Sequence, residues 1–164
     1  MKLNVVLIEP EIPQNTGNIS RTCAAVGAAL HLVKPLGFSI EDKYLKRAGL
    51  DYWDSLELHI HESFEDLQSG HPKDKFFYST TKAGRIYTDI EYPDGCFLVF
   101  GKETRGIDEK LLHENLDRCI RIPMKDKIRS LNLSNSVAIV IYEALRQDGF
   151  SEMQREGSFG AYGI

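Results

Sequence analysis

The sequence lacks an excess of basic charge, paired cysteines and any apolar run long enough to cross a membrane. Each absence removes a class of protein. With Lys+Arg 20 against Asp+Glu 24, the net charge is −4, so there is no global basic signature of a nucleic-acid binder. Local patches still decide contact with phosphate, and three are present: Lys43, Lys46 and Arg47; Lys82 and Arg85; Lys125, Lys127 and Arg129. Cys23, Cys96 and Cys119 are odd in number, and none sits in a CxxC pair. That argues against a disulfide framework or a zinc site and suits a reducing cytosol. The histidines at 31, 59, 61, 71 and 113 are scattered. His59 and His61 alternate on a strand and are assigned a structural role, and no metal is expected. No apolar run approaches the ~20 residues that a bilayer demands. The N-terminus enters a strand directly, without the regions of a signal peptide. A soluble, cytoplasmic protein with no membrane partner is expected.

What is present is an ordinary globular composition, 42% hydrophobic and 27% charged over 164 residues. That is one domain with a proper core, placed at 1–150, with a polar, Gly-rich tail at 151–164. Leu3 to Ile8 is a continuous apolar run, the mark of a strand buried on both faces. Asn15-Thr16-Gly17-Asn18 opens a helix, with Asn15 as its cap, that runs through Ile19, Cys23 and Val26 to a C-terminal Gly27. Leu30 to Val33 is a strand, Glu41 to Trp53 reads as short helical pieces, and Leu58 to His61 is a further strand. Phe64 to Gln68 is a short helix. Phe76 to Tyr78 and Cys96 to Phe100 are strands, and Asp108 caps a helix reaching Glu114. Ile120 to Ile122 is the last strand. Strands alternating with helices imply an α/β fold, a mostly parallel sheet flanked by helices. Ligands in such sheets bind beyond the carboxyl ends of the strands. The polar loops after Tyr78, Phe100 and Ile122 all lie there, so a shared site is expected.

The stretch from Ile122 to Arg146 is the most informative. Ser130, Asn132, Ser134 and Asn135 crowd the start of an apolar helix. One such residue is an ordinary cap; this many suggest a loop whose N–H and hydroxyl groups face a polar ligand. Leu133, Val137, Ile141, Ala144 and Leu145 form one stripe at helical spacing, and Ala138, Ile139 and Val140 widen it. A helix apolar on more than one side is expected to pack on its own sheet and on a second subunit.

Two further constellations stand out. Gly101-Lys102-Glu103-Thr104 is not a phosphate loop, because Cys96 and Glu103 occupy positions that the loop gives to Gly and Ser/Thr. No GxGxxG supports a dinucleotide fold. What remains is Gly-x-Glu-x-x-Gly between a buried strand and a helix. Its glycines permit a tight turn beside a ligand, and Glu103 supplies one carboxylate at the mouth. Pro13-x-Asn15-x-Gly17-Asn18-x-x-Arg21 places Asn18 and Arg21 on neighbouring helix faces, near a strand end.

Asn15-x-Gly17-Asn18-x-x-Arg21, Phe100-Gly101-Lys102-Glu103-Thr104-Arg105-Gly106, and Ile122-Pro123-Met124 through Arg129-Ser130-Leu131-Asn132-Leu133-Ser134-Asn135 resemble the three motifs of the SPOUT superfamily of RNA methyltransferases. The order and spacing match across about Met1 to Gln147. Glu9 to Pro13 and Arg47 to Tyr52 narrow the resemblance to the small, single-domain tRNA (cytidine/uridine) 2′-O-methyltransferases that act on the wobble nucleotide.

The resemblance implies a C-terminal deep trefoil knot, which general rules of chain topology would have forbidden. It implies S-adenosylmethionine as cofactor, held by Ser79, Thr80, Gly101, Ile122, Met124, Ser130, Leu131 and Leu133. It implies methyl transfer to a ribose 2′-hydroxyl, with Arg21, Asn15, Glu103, Ser130 and Asn132 at the catalytic site. A guanidinium stays protonated, so Arg21 is read as orienting the hydroxyl or a phosphate rather than as a base. Arg21, Arg105, Arg129 and Tyr142 are expected to meet the anticodon arm of tRNA. A homodimer through the C-terminal helix is also implied. Two alternatives stay open: the same chemistry on rRNA or another tRNA position, and a non-catalytic RNA-binding protein on the same fold.

Overall fold

The computed structural model describes residues 1–40 and 55–158. The helical pieces expected within 41–53, the Arg47 to Tyr52 motif and the patch at Lys43, Lys46 and Arg47 lie outside the described residues. The described strands are β1 (Leu3–Ile8), β2 (Ala29–Val33), β3 (Leu58–His61), β4 (Phe76–Ser79), β5 (Cys96–Phe100) and β6 (Cys119–Ile120). They form one sheet in the order β3-β2-β1-β5-β4-β6, and every pairing is parallel. The helices are α1 (Pro13–Val26), α2 (Phe64–Ser69), α3 (Glu109–His113) and α4 (Leu133–Gln147).

Both faces of the central strands are covered, which is why these strands are predominantly apolar, with Asn4 in β1 and His31 in β2 as the exceptions. On one face Leu3, Val5, Leu7, Leu30, Leu32 and Leu98 meet Ile19 and Cys23 of α1 and Val137, Val140, Ile141, Ala144 and Leu145 of α4. On the other, Val6, Val33, Phe76, Tyr78, Phe97 and Val99 meet Phe64 and Leu67 of α2 and Leu112 of α3. The α4 stripe is therefore buried as its spacing predicts, while Ala138 and Ile139 are half-buried and Tyr142 is 48% exposed. Among the described residues, no helix is long and apolar enough to cross a membrane.

Two boundaries differ from the sequence reading, each for a physical reason. α1 begins at Pro13, with Ile12 as its cap residue. Proline suits that first position because its missing N–H would have no helical partner. Asn15 is therefore not the cap but a first-turn residue, 6% exposed, whose side chain is free for tertiary contacts. β6 stops at Ile120 rather than Ile122, because Arg121 pairs with the loop after β4: its N–H donates to Arg85 O and its carbonyl accepts from Tyr87 N–H. α3 and its cap match the expectation closely. Asp108 Oδ1 accepts from Lys110 N–H and Leu111 N–H at 2.9 and 3.3 Å. Gly27 closes α1 with φ 69, the left-handed conformation that glycine adopts without a Cβ penalty.

The histidines near the β3 edge form a cluster. His31, 5% exposed, stacks on His59 with ring centroids 4.7 Å apart. Its Nδ1 lies 2.9 Å from His61 Nε2, and its Nε2 lies 3.2 Å from Asn4 Oδ1. Asn4 Nδ2 donates to the Gly95 and Cys96 carbonyls, so its Oδ1 is an acceptor. His31 then donates from Nε2, and with the buried ring neutral its Nδ1 accepts from His61 Nε2–H. Burial, together with the neighbouring His59, His61 and His71, lowers its pKa to about 3, and His61 is held below its ordinary value for the same first reason. The sign follows directly. The unfolded chain takes up these protons first as pH falls through about 6.5, so stability is full above that pH and declines toward pH 3. Urea denaturation across this range should show an acid limb, and His31→Gln should reduce its slope by up to about 1.4 kcal/mol per pH unit. An unchanged slope would remove His31 from the acid response.

Candidate active site

The carboxyl ends of β4 and β5 and the segment between β6 and α4 close around one cleft of about 680 Å³. Its geometry starts with Glu103, in the loop after β5. Oε2 of Glu103 accepts from Glu11 N–H at 2.9 Å, and Oε1 accepts from Ile12 N–H at 3.1 Å. These amides stand at the N-terminus of α1, which has no acidic residue in its own first turn. Glu103 thus brings a carboxylate to a helix end that attracts negative charge. Oε1 also accepts from Asn15 Nδ2 at 3.1 Å. Asn15 Oδ1 in turn accepts from Asn132 Nδ2 at 3.0 Å. Asn132 is the cap of α4, its Oδ1 accepting from Ser134 N–H at 2.9 Å and Ser134 Oγ–H at 2.6 Å. One hydrogen-bonded line therefore joins three loops that are about ninety and thirty residues apart in sequence.

Return contacts run from the loop after β1. Glu9 forms an ion pair with Lys102. Glu11 accepts from Thr104 N–H at 3.0 Å and from Thr104 Oγ1–H at 2.9 Å. Gly101 must be glycine for a steric reason. A Cβ there would lie 2.1 Å from Gly106 C and 2.3 Å from Ile107 N, because the loop folds back on itself. Gly106, at φ 71, closes the fold with its N–H on Lys102 O at 2.9 Å.

Every residue expected to hold the cofactor lines the cleft: Ser79 and Thr80 beyond β4, Gly101 beyond β5, Ile122 and Met124 beyond β6, and Ser130, Leu131 and Leu133 before and in α4. Asn15, Glu103, Asn132, Arg105 and Arg129 line it too. Arg21 and Tyr142 do not; both are exposed, on α1 and α4 respectively. Sequence reasoning passed over Ile12, Thr81, Lys82, Lys102, Thr104 and Ser136 as lining residues. Ser136, one turn beyond Asn132, carried a helical-spacing signal, and Thr104 lay inside a quoted motif. The exposed Ile12 carried none. Lys82 is paired with Glu109 and, through that hydrogen bond and its charge, holds the Glu109 carboxyl below its ordinary value.

Chemically, the cleft offers hydroxyls, backbone groups and an apolar wall. Among the described lining residues there is no histidine or cysteine. Glu103, which the sequence places at the mouth as a lone acid, has both oxygens occupied by N–H donors. The arrangement is suited to binding and positioning a ligand and offers no poised nucleophile.

The SpoU rRNA Methylase family model matches residues 2–142. The chain belongs to this family. A tRNA (cytidine(34)-2′-O)-methyltransferase of Methylovorus glucosotrophus (strain SIP3-4) is 48% identical over 149 residues, 90% of this chain and 97% of the relative. A Bacillus subtilis (strain 168) protein, provisionally given the same name, is 51% identical over 155 residues, 93% of this chain and 97% of its own. A solved structure described as giving insight into 2-OH methylation of C/U34 on tRNA superposes with a TM-score of 0.86. It is 41% identical and covers 91% of this chain and 97% of its own. The expected α/β architecture, a parallel sheet flanked by helices, agrees with this membership.

For this SpoU-family cleft, Gly101→Ala should destabilise the protein by about 1–3 kcal/mol in chemical denaturation, since the loop must open to admit the methyl group. Gly106 N–H should lose hydrogen-exchange protection. Wild-type stability in the variant would show that the loop has room the structure denies.

Proposed function

We propose that this chain transfers a methyl group from S-adenosylmethionine to the ribose 2′-hydroxyl of the wobble nucleotide, cytidine or modified uridine at position 34, in tRNA. The observation that carries the reading is the assembly of three distant loops into one cleft, with all eight expected cofactor residues on its wall. The names of the relatives at 48% and 51% identity and the structure at 41% support the substrate.

The donor set fits the cofactor. Ile122, Met124, Leu131 and Leu133 make the apolar slot that adenine requires, with backbone groups for its edge. Ser79, Thr80 and Ser130 offer hydroxyls to the amino-acid end. When bound, the cofactor supplies an electrophilic methyl on a sulfonium. The protein then has to place the acceptor hydroxyl and give its proton somewhere to go. Asn15, Asn132 and Glu103 hold the loops in register. Arg21 is proposed to orient the hydroxyl or an adjacent phosphate from α1.

Local charge supports an RNA partner despite the net −4. Lys82 and Lys102 are paired with Glu109 and Glu9. Arg105, Lys125, Lys127 and Arg129 have no carboxylate partner among the described residues. Arg105 and Arg129 lie on the cleft wall, and the two lysines on the loop that supplies it. These cations would meet the anticodon arm, and binding should weaken as salt rises. A homodimer through α4 is part of the proposal. Tyr142, Ala138 and Ile139 remain exposed or half-exposed on a helix whose other side is fully buried. So is the trefoil knot. In support, the segment 85–92 hydrogen-bonds Arg121 on one side, and on the other its Ile90 O and Tyr92 N–H engage the Gln147 side chain of α4. A tRNA substrate puts the enzyme in the cytoplasm.

Tritiated methyl transfer onto unmodified tRNA, mapped by nuclease digestion, tests the reading; ribose methylation is expected at nucleotide 34. Methylation confined to rRNA or another tRNA position would shift the substrate. Calorimetry without cofactor binding would favour a non-catalytic RNA-binding protein. Arg21→Ala should keep Tm and cofactor affinity close to wild type while losing transfer by about 100-fold or more. Full turnover in that variant would remove Arg21 from the mechanism.

A further inference from the structure

We propose that Glu11, outside the cleft wall, is a positioning residue for methyl transfer that fixes α1 against the cofactor loop; this rests on the methyltransferase reading above. Glu11 and Glu103 exchange partners. Glu103 takes the Glu11 and Ile12 amides at 2.9 and 3.1 Å, and Glu11 takes the Thr104 amide and hydroxyl at 3.0 and 2.9 Å. Each carboxylate reaches the other loop's backbone, so neither loop shifts without breaking both sets. Ionised acceptors make the stronger hydrogen bonds, and two bonds to one carboxylate fix orientation as well as distance.

The loop carrying Glu11 is backed from behind. Gly37, in the loop after β2, donates its N–H to Pro10 O at 2.9 Å. A Cβ on Gly37 would lie 2.8 Å from Glu11 Cα and from Glu11 O. The Glu11 backbone is thus pressed between the Gly37 backbone and the interlock. On the far side of Glu11 in sequence, α1 carries Asn15 into the cleft and Arg21 beyond it. On the far side of Thr104, the same loop contributes Gly101 to the cofactor wall. Glu11 therefore sets the register between the half of the site that holds the methyl donor and the half that presents the acceptor. A register error of about an ångström is enough to cost two orders of magnitude in rate.

Three variants test this: Glu11→Ala, Glu11→Gln and Thr104→Val, assayed for tRNA methylation. Glu11→Ala should lower kcat roughly 10- to 100-fold with cofactor KM changed less than about threefold. A merely structural residue would move Tm and both constants together. Glu11→Gln should recover most of the rate, since its amide oxygen still accepts from Thr104 N–H. Adding Thr104→Val to Glu11→Ala should cost nothing further, because the two remove one interaction. Unchanged kcat in Glu11→Ala, or losses that add in the double variant, would overturn the proposal. If the wild-type protein methylates no tRNA, the functional reading fails, and the interlock is judged by amide exchange on the same proteins. The Ile12 N–H, whose acceptor is Glu103, should exchange faster in Glu11→Ala than in wild type. Equal exchange would overturn the interlock.

Discussion

The Glu103 carboxylate is the contact on which the site depends. It ties the loop after β5 to the first turn of α1, and through Asn15 and Asn132 it reaches the cap of α4. Hydrogen bonds to an ionised acceptor contribute about 1.5–3 kcal/mol each when partly shielded from water. Breaking this one group would leave several donors unpaired at once. A parallel sheet alone does not specify how loops at its carboxyl edge sit relative to each other. Side chains that cross between loops supply that information.

This arrangement also constrains the chemistry. A carboxylate committed to N–H donors is poorly placed to take a proton from a substrate, and no lining histidine or cysteine replaces it among the described residues. These residues favour placement over acid–base chemistry, which accords with the proposed transfer from a donor that carries its own electrophile. Backbone strain points the same way. Glu9, where β1 ends, has φ 48, although it is not glycine. Such a conformation costs on the order of 1–3 kcal/mol and persists only where the surroundings over-determine it. Here the surroundings are its ion pair with Lys102 and its N–H on Val33 O at 2.9 Å.

Much of the fold was legible because its signals are local. Apolar runs marked β1, broken only by Asn4, and β5, and the spacing of Val137, Ile141, Ala144 and Leu145 marked the buried side of α4. Asp108 and Gly27 marked helix ends through their own side chain or its absence. The errors came from non-local partners. Asn15 looks like a cap because asparagines at helix starts usually are; its amide is instead claimed by Glu103, 88 residues away. Ile122 reads as strand, but Arg121 pairs with residues 85–87, whose proximity no periodicity reports. The site was legible only in part. The polar loops at strand ends predicted convergence, whereas the exchange of partners between Glu11 and Glu103 left no sequence pattern of its own.

A chain with net charge −4 repels nucleic acid at long range, so any attraction has to be local. The acidic residues around the cleft are largely spent inside the protein: Glu9 on Lys102, Glu11 on Thr104, Glu103 on the α1 amides and Glu109 on Lys82. The remaining cations, Arg105 and Arg129 on the wall and Lys125 and Lys127 on the adjoining loop, form no ion pair among the described residues. Ion pairing removes Glu9 and Glu109 from that balance, whereas Glu11 and Glu103, bonded to neutral donors, keep their charge. A substitution that freed Glu9 or Glu109 from its lysine would therefore change the local charge as well as the packing of the loops.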